Sequence, residues 1–273
     1  MQLGYPLGLI ASTGAFALVA MLPEADMLAW GWRVPFLLSA GLVAVGLFVR
    51  LRLAETPVFR QMETKGGGPA RIPLMEVLTR HPGRFAIALG LKVSEVAWVS
   101  VLTVFCIAYV VGQLHLPGRV IINGIFLAAI VELFSMPLAG WLSDKVGRRP
   151  IYIAGTLFSI AFAFPLFWLL NTRDPTIIGL TVAGAVTFGQ GIMFCLHASF
   201  MPELFGTRMR YSGMSLGFQV GAAISGGFTP MIAAALVAWA GGATWGVSVY
   251  LIVLAVVSLV AVLAAPETSH ETL

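Results

Sequence analysis

Of 273 residues, 59% are apolar and only 10% charged, whereas about a quarter of the residues in a soluble domain are charged. Such a chain cannot build a surface that faces water, so a soluble globular fold is excluded and lipid is the expected solvent. The formal net charge of +4 does not point to nucleic acid, because the basic residues fall in short loops between apolar runs, as cytoplasmic loops do.

A helix needs about 20 mostly apolar residues to cross roughly 30 Å of hydrocarbon. Eight runs qualify: 3–22, 34–53, 85–111, 120–142, 151–170, 177–200, 212–239 and 245–265. None alternates in character as the strands of a membrane barrel do, so the expected fold is an all-α membrane protein of about eight transmembrane helices. The first run has no basic flank before it and is long for a signal peptide. Cys106 and Cys195 lie within apolar runs, have no metal-ligand spacing and read as packing residues. No cofactor is expected.

Orientation follows from Lys and Arg. The segment Arg50–Arg84 and the loops after the fourth and sixth runs carry twelve, and the alternate loops carry Arg33, Arg119 and Arg173. This bias predicts both termini in the cytoplasm. The polar segment 54–83 contains Gly66-Gly67-Gly68-Pro69 without the Lys-Ser/Thr of a phosphate loop. It is read as a cytoplasmic linker, with a short surface helix at 74–78.

An internal repeat sets the expected architecture. Gly4-x-x-x-Gly8 recurs as Gly217-x-x-x-Gly221, Trp32 as Trp245, and Glu55-Thr56 as Glu267-Thr268, at offsets of 213, 213 and 212 residues. The first two helices therefore read as a copy of the last two, in the same orientation, as in transporters built from parallel six-helix repeats. Residues 1–53 are expected to be the last two helices of an N-terminal bundle. Residues 84–266 would be a complete C-terminal six-helix bundle, and residues 267–273 a cytoplasmic tail. Four further helices would precede Met1 in a whole two-copy chain of about 430 residues.

The sharpest motif is Gly140-Trp-Leu-Ser-Asp-Lys-Val-Gly-Arg-Arg-Pro150. It is expected in a turn of two to four residues, with Asp144 facing a helix N-terminus and Arg148 and Arg149 pairing with a carboxylate or lipid phosphate. The pattern resembles the cytoplasmic turn of the major facilitator superfamily. Gly31-Trp-Arg-Val-Pro-Phe36, Leu53-Ala-Glu-Thr-Pro-Val-Phe59 and Pro202-Glu-Leu-Phe-Gly-Thr-Arg-Met-Arg210 resemble segments of its metabolite:proton symporter branch, although Gly206 stands where that branch usually has Pro. The resemblance spans nearly the whole chain, aligned to the fifth through twelfth helices. It implies a partial two-bundle architecture in a bacterial inner membrane. The activity it implies is proton-coupled symport of a small carboxylate or zwitterion by alternating access. It assigns a cytoplasmic gate to Asp144, Arg148 and Arg149, supported by Glu203 and Arg208.

Ionisable groups inside lipid are costly and mark pathways or pairs. Lys92 and Glu95 share a helix face by their spacing, and Glu132 lies at a depth where it could pair with Lys92. One Glu is expected to carry the proton, since low dielectric disfavours a bare carboxylate. Lys92 would attract an anionic substrate or hold that Glu ionised. A structural ion pair locking two helices is the competing reading. Gln190 and Gln219 are candidates for substrate or interhelical hydrogen bonds, and Asn123 is a weaker one. His197 is expected at a backbone carbonyl or interfacial water, and Trp98 in packed core or against lipid. The expected partners are a small solute, protons, the bilayer and the missing N-terminal bundle. Two other functions compete with transport. One is a non-transporting truncated remnant. The other is a membrane enzyme, disfavoured because no nucleophile has a placed base.

Overall fold

The computed structural model describes residues 2–19, 21–52, 82–205 and 210–266. Nearly all of the expected linker, the Gly66–Pro69 stretch, the short helix at 74–78, Gly206, Arg208 and the tail at 267–273 lie outside the described residues. Within them every regular element is helical, as a chain in hydrocarbon requires when its backbone must satisfy its own hydrogen bonds.

Eight helices follow in order: α1 Gly4–Val19, α2 Met27–Arg52, α3 Pro82–Gly112, α4 Arg119–Val146, α5 Arg148–Leu170, α6 Pro175–Glu203, α7 Arg210–Trp239 and α8 Trp245–Ala264. Seven are long and apolar enough to cross a membrane, and α1 is shorter. The first run was expected to continue to Leu22; α1 is described from Gly4 to Val19, and Met21 and Leu22, ahead of Pro23, lie in a turn. Helices α3 to α7 extend past their apolar runs into polar ends. Pro82 and Pro175 occupy first-turn positions where a missing N–H costs nothing, and Asp174 caps α6 by accepting from the Thr176 and Ile177 amides at 2.8 and 3.1 Å.

The helix ends also correct the expected turn between the fourth and fifth runs. It is a single residue, Gly147, at φ 111°, a conformation that only glycine adopts without strain. The motif thus forms the last turn of α4 and the first of α5, and Asp144 does not cap a helix. Gly140 lies within α4, not in the turn.

Two compact units divide the chain: Leu7–Arg71, and Met1–Pro6 together with Ile72–Leu273. In the smaller unit a π-helical turn at Met27–Gly31 opens α2. A Cβ on Gly31 would lie 3.1 Å from Val19 and Leu22, and Phe16 meets Phe36 edge-on at 6.1 Å. Leu37, Leu38, Leu42 and Val43 of α2 are exposed.

In the larger unit α3 is packed most heavily, against α7 and α8, while α4 pairs with α6 and α5 with α8. Small residues make these approaches possible, as is usual between membrane helices. Added Cβ atoms at Gly217 and Gly221 would meet Ala88 at 2.8 Å and the Lys92 Cβ at 2.9 Å, and one at Gly90 would meet Ala261 at 2.6 Å. Hydroxyls then bond across the contacts: Ser225 donates to the Val93 carbonyl and Ser258 to the Gly90 carbonyl, both at 2.6 Å. Trp98 is fully buried within the apolar core.

Gly124 makes the α4–α6 contact, where a Cβ would lie 2.7 Å from the Gly179 carbonyl oxygen and 2.9 Å from Val182. Gly124→Ala is expected to destabilise the detergent-solubilised protein by about 1–3 kcal/mol. Gly179→Ala, whose Cβ meets nothing within 4 Å, should leave it unchanged or slightly more stable. Thermal unfolding in detergent checks the pair, and equal melting temperatures would show that this contact is not tight.

Candidate functional site

Lys92 lies ten residues into α3, about 15 Å along its axis, and is 2% exposed. An ammonium there has no water, so the protein must satisfy it. Glu95, one turn on and equally buried, forms a hydrogen-bonded ion pair with it. Phe218 of α7 and Phe194 of α6 present ring faces to the Lys92 Nζ at 3.7 and 5.3 Å, supplying cation–π attraction where a further hydrogen-bond donor would be useless.

α6 closes the other side of the pair. Its segment Ala185–Gly191 is π-helical, a local widening common at functional sites, and it carries Gln190, which is 1% exposed. The Gln190 Nε2 donates to Glu95 Oε1 at 3.4 Å. Two turns further, His197 places Nδ1 3.9 Å from Glu95 Oε2 and Nε2 3.1 Å from the Tyr152 hydroxyl, which itself donates to the Leu91 carbonyl. Three helices thus converge on Glu95.

Some expected placements change. Lys92 pairs with Glu95, not Glu132, because three-residue spacing on one helix already brings the two together. The Glu132 carboxylate is fully buried and has no hydrogen bond among the described residues. His197 is fully buried against Tyr152, not at an interface. Gln219 and Asn123 are exposed and lie outside the cluster. Tyr152, Phe194 and Phe218 were missed. Nothing in an apolar run rich in Phe marks which ring will face a cation, but Tyr152 stands one turn after Arg148 and could have been flagged as a polar tip in an apolar helix.

The second polar group surrounds Gly147. Arg148 pairs with Asp144 across the turn, donates to the Ser143 hydroxyl at 2.9 Å and reaches Glu203 at the end of α6 at 3.4 Å. Arg149 points the other way and donates to the Leu263 carbonyl in the last turn of α8 at 2.8 Å, where the helix dipole favours a cation. The turn therefore ties α4, α5, α6 and α8 together. Beside it a cavity of about 480 Å³ opens between Met136, Gly140 and Asp144 of α4 and Cys195 and Ser199 of α6. Arg208 falls outside the described residues.

The Asp144 side chain is 64% exposed and that of Glu203 13%. Asp144→Ala should therefore change stability by less than about 0.5 kcal/mol, whereas Glu203→Ala, which strips a carboxylate from a mostly buried guanidinium, should cost about 1–3 kcal/mol. Detergent melting curves compare them, and an equal or reversed order would contradict the structural weight given to Glu203.

Residues 2–226 match the family model of the Major Facilitator Superfamily. The chain is 34% identical over 272 residues to the shikimate transporter of Escherichia coli, covering 99% of this chain and 62% of that protein. It is 33% identical over 284 residues to the inner membrane metabolite transport protein YhjE of the same organism, covering 100% and 62%. To a proline/betaine transporter of Salmonella typhimurium it is 31% identical over 289 residues, covering 100% and 56%. The chain thus spans less than two thirds of the length of these relatives.

Proposed function

We propose that this chain, which belongs to the major facilitator superfamily, forms the larger part of a secondary active transporter that moves a small organic solute with protons by alternating access. The observation that carries the reading is the Lys92–Glu95 pair, sealed inside a bundle of membrane-length helices and surrounded by Gln190, Phe194 and Phe218. An interior that needed only to hold helices together could be wholly apolar, and a buried ion pair gains little over apolar packing. A fixed cation beside carboxylates is instead suited to recognising a carboxylate or zwitterion. The shikimate and proline/betaine transporters among the relatives handle solutes of that kind by name. The basic bias of alternate loops supports both termini inside, and the relatives, one of them named an inner membrane protein of Escherichia coli, support a bacterial inner membrane.

The repeat supports the domain reading, in which residues 1–53 close an N-terminal bundle, 54–83 link it to the C-terminal bundle at 84–266, and 267–273 form a tail. Gly217 and Gly221 seat α7 on α3. At the equivalent Gly4 and Gly8, an added Cβ meets nothing within 4 Å among the described residues, as expected if a further helix takes that seat. In this reading the Asp144–Arg148–Glu203 group, with Arg149 and Arg208, holds the cytoplasmic side shut in one state. Lys92, Glu95, Glu132, Gln190 and Gln219 line the path.

In proteoliposomes with an imposed inside-alkaline pH gradient, the chain is expected to accumulate labelled shikimate or glycine betaine above protein-free vesicles. Lys92→Ala should lower the rate at least about tenfold, equivalent to about 1.4 kcal/mol. No accumulation of either solute by the chain, or a Lys92→Ala rate equal to wild type, would sink the proposal.

A further inference from the structure

Glu132 lies midway along α4, and its side chain is wholly sealed from water. Neither carboxylate oxygen has a hydrogen-bond partner among the described residues. Among the described residues, the elements packed around it leave it no counter-charge. On α3, Lys92 is engaged by Glu95 and by two ring faces, and Glu95 is the charge that acts on Glu132, repelling a second anion. On α6, Gln190 turns its amide to Glu95, His197 faces Glu95 and Tyr152, and Cys195 donates to the Met136 carbonyl one turn away. On α5, Tyr152 is committed to Leu91 and His197, and Arg148 to the Gly147 turn. At the head of α1, Tyr5 lies in the field of both carboxylates.

A bare carboxylate without water, hydrogen bond or cation is among the costliest groups a protein can bury, and the neutral acid is far cheaper. Gly191 ends the π-helical segment of α6, and a Cβ there would lie 2.5 Å from Glu132 Oε1, so the missing side chain makes room for the carboxyl group.

We infer that Glu132 is the proton-binding group of this cluster, held as a neutral acid against Gly191, while Lys92 and Glu95 remain a charged, self-neutralising pair. The proton arrives from water onto one carboxyl oxygen and leaves to water, and no other bond changes. The inference rests on the transport reading for its purpose, but the protonation state can be tested without transport.

Infrared spectroscopy of the purified chain in detergent at neutral pH distinguishes the C=O band of a carboxylic acid from ionised carboxylates. The wild type should show that band, Glu132→Gln should lose it and Glu95→Gln should keep it. Because Gln matches the shape of the neutral acid, Glu132→Gln should also melt with the wild type, whereas Glu95→Gln should melt lower. A band missing from the wild type or surviving in Glu132→Gln overturns the inference. So does a Glu132→Gln protein that melts well below wild type or fails to fold, since the negative charge would then have been in use. In proteoliposomes Glu132→Gln should lose accumulation driven by the pH gradient, and gradient-driven accumulation at the wild-type rate would overturn the inference. If the wild type accumulates nothing, the transport reading falls, and the infrared result still decides the state of Glu132.

Discussion

The buried ammonium of Lys92 is the group to which the interior of the larger unit is fitted. It cannot be hydrated, and hydrocarbon offers no screening, so it is engaged by an anion, Glu95, and by the electron-rich faces of Phe194 and Phe218. Its stem must also be accommodated, and α7 does this by carrying Gly221 beside the Lys92 Cβ. Substituting that glycine would move α7 away from α3 and separate Phe218 from the charge it faces. Packing and electrostatics therefore act at the same residues, and the small-residue seam serves as the scaffold of the charged site.

The same logic explains why α6 is not a regular helix throughout. An α-helix offers one register for Gln190, Gly191, Phe194 and His197. The π-helical stretch Ala185–Gly191 changes that register at Gln190 and Gly191 and ahead of Phe194 and His197, so that Gln190 meets Glu95 and Gly191 opens beside Glu132. α3 has a comparable stretch at Val101–Phe105, beyond Lys92 and Glu95 and within the apolar core.

Much of this was legible in the sequence, for physical reasons. Eight apolar runs give eight helices because lipid leaves the backbone no alternative. Lys92, Glu95, Glu132 and Gln190 could be singled out because a polar side chain in such a run needs a reason to be there. Partner choice was less legible. The depth of Glu132 suggested a pair with Lys92, but depth ignores azimuth, and Glu95 on the same helix face prevails. His197 was misplaced because distance from a run's end says nothing about which side of the helix faces inward. Gly147 was recognised as a turn residue, but the turn was drawn too long, since polarity was taken to end the helix. Buried Ser143 in fact donates to the Gly140 carbonyl, and exposed Asp144 and Lys145 meet Arg148 and the Trp141 ring, while the helix continues.

The two polar groups share their helices, and this limits how they can move. α5 carries Arg148 at the turn and Tyr152 one turn inside it, while α6 carries Glu203 at its end and His197 two turns inside. The Arg148–Glu203 and Tyr152–His197 contacts are thus two rungs between the same pair of helices. A shift of α6 relative to α5 large enough to part Arg148 from Glu203 would also move His197 relative to Tyr152, and with it the group facing Glu95. Long helices transmit such shifts with little deformation, because their backbone hydrogen bonds are satisfied internally and their interiors are close-packed. Any parting of the turn would therefore accompany a rearrangement at the ion pair, as one displacement seen at two depths, and no relay of intermediate side chains would be needed to connect them.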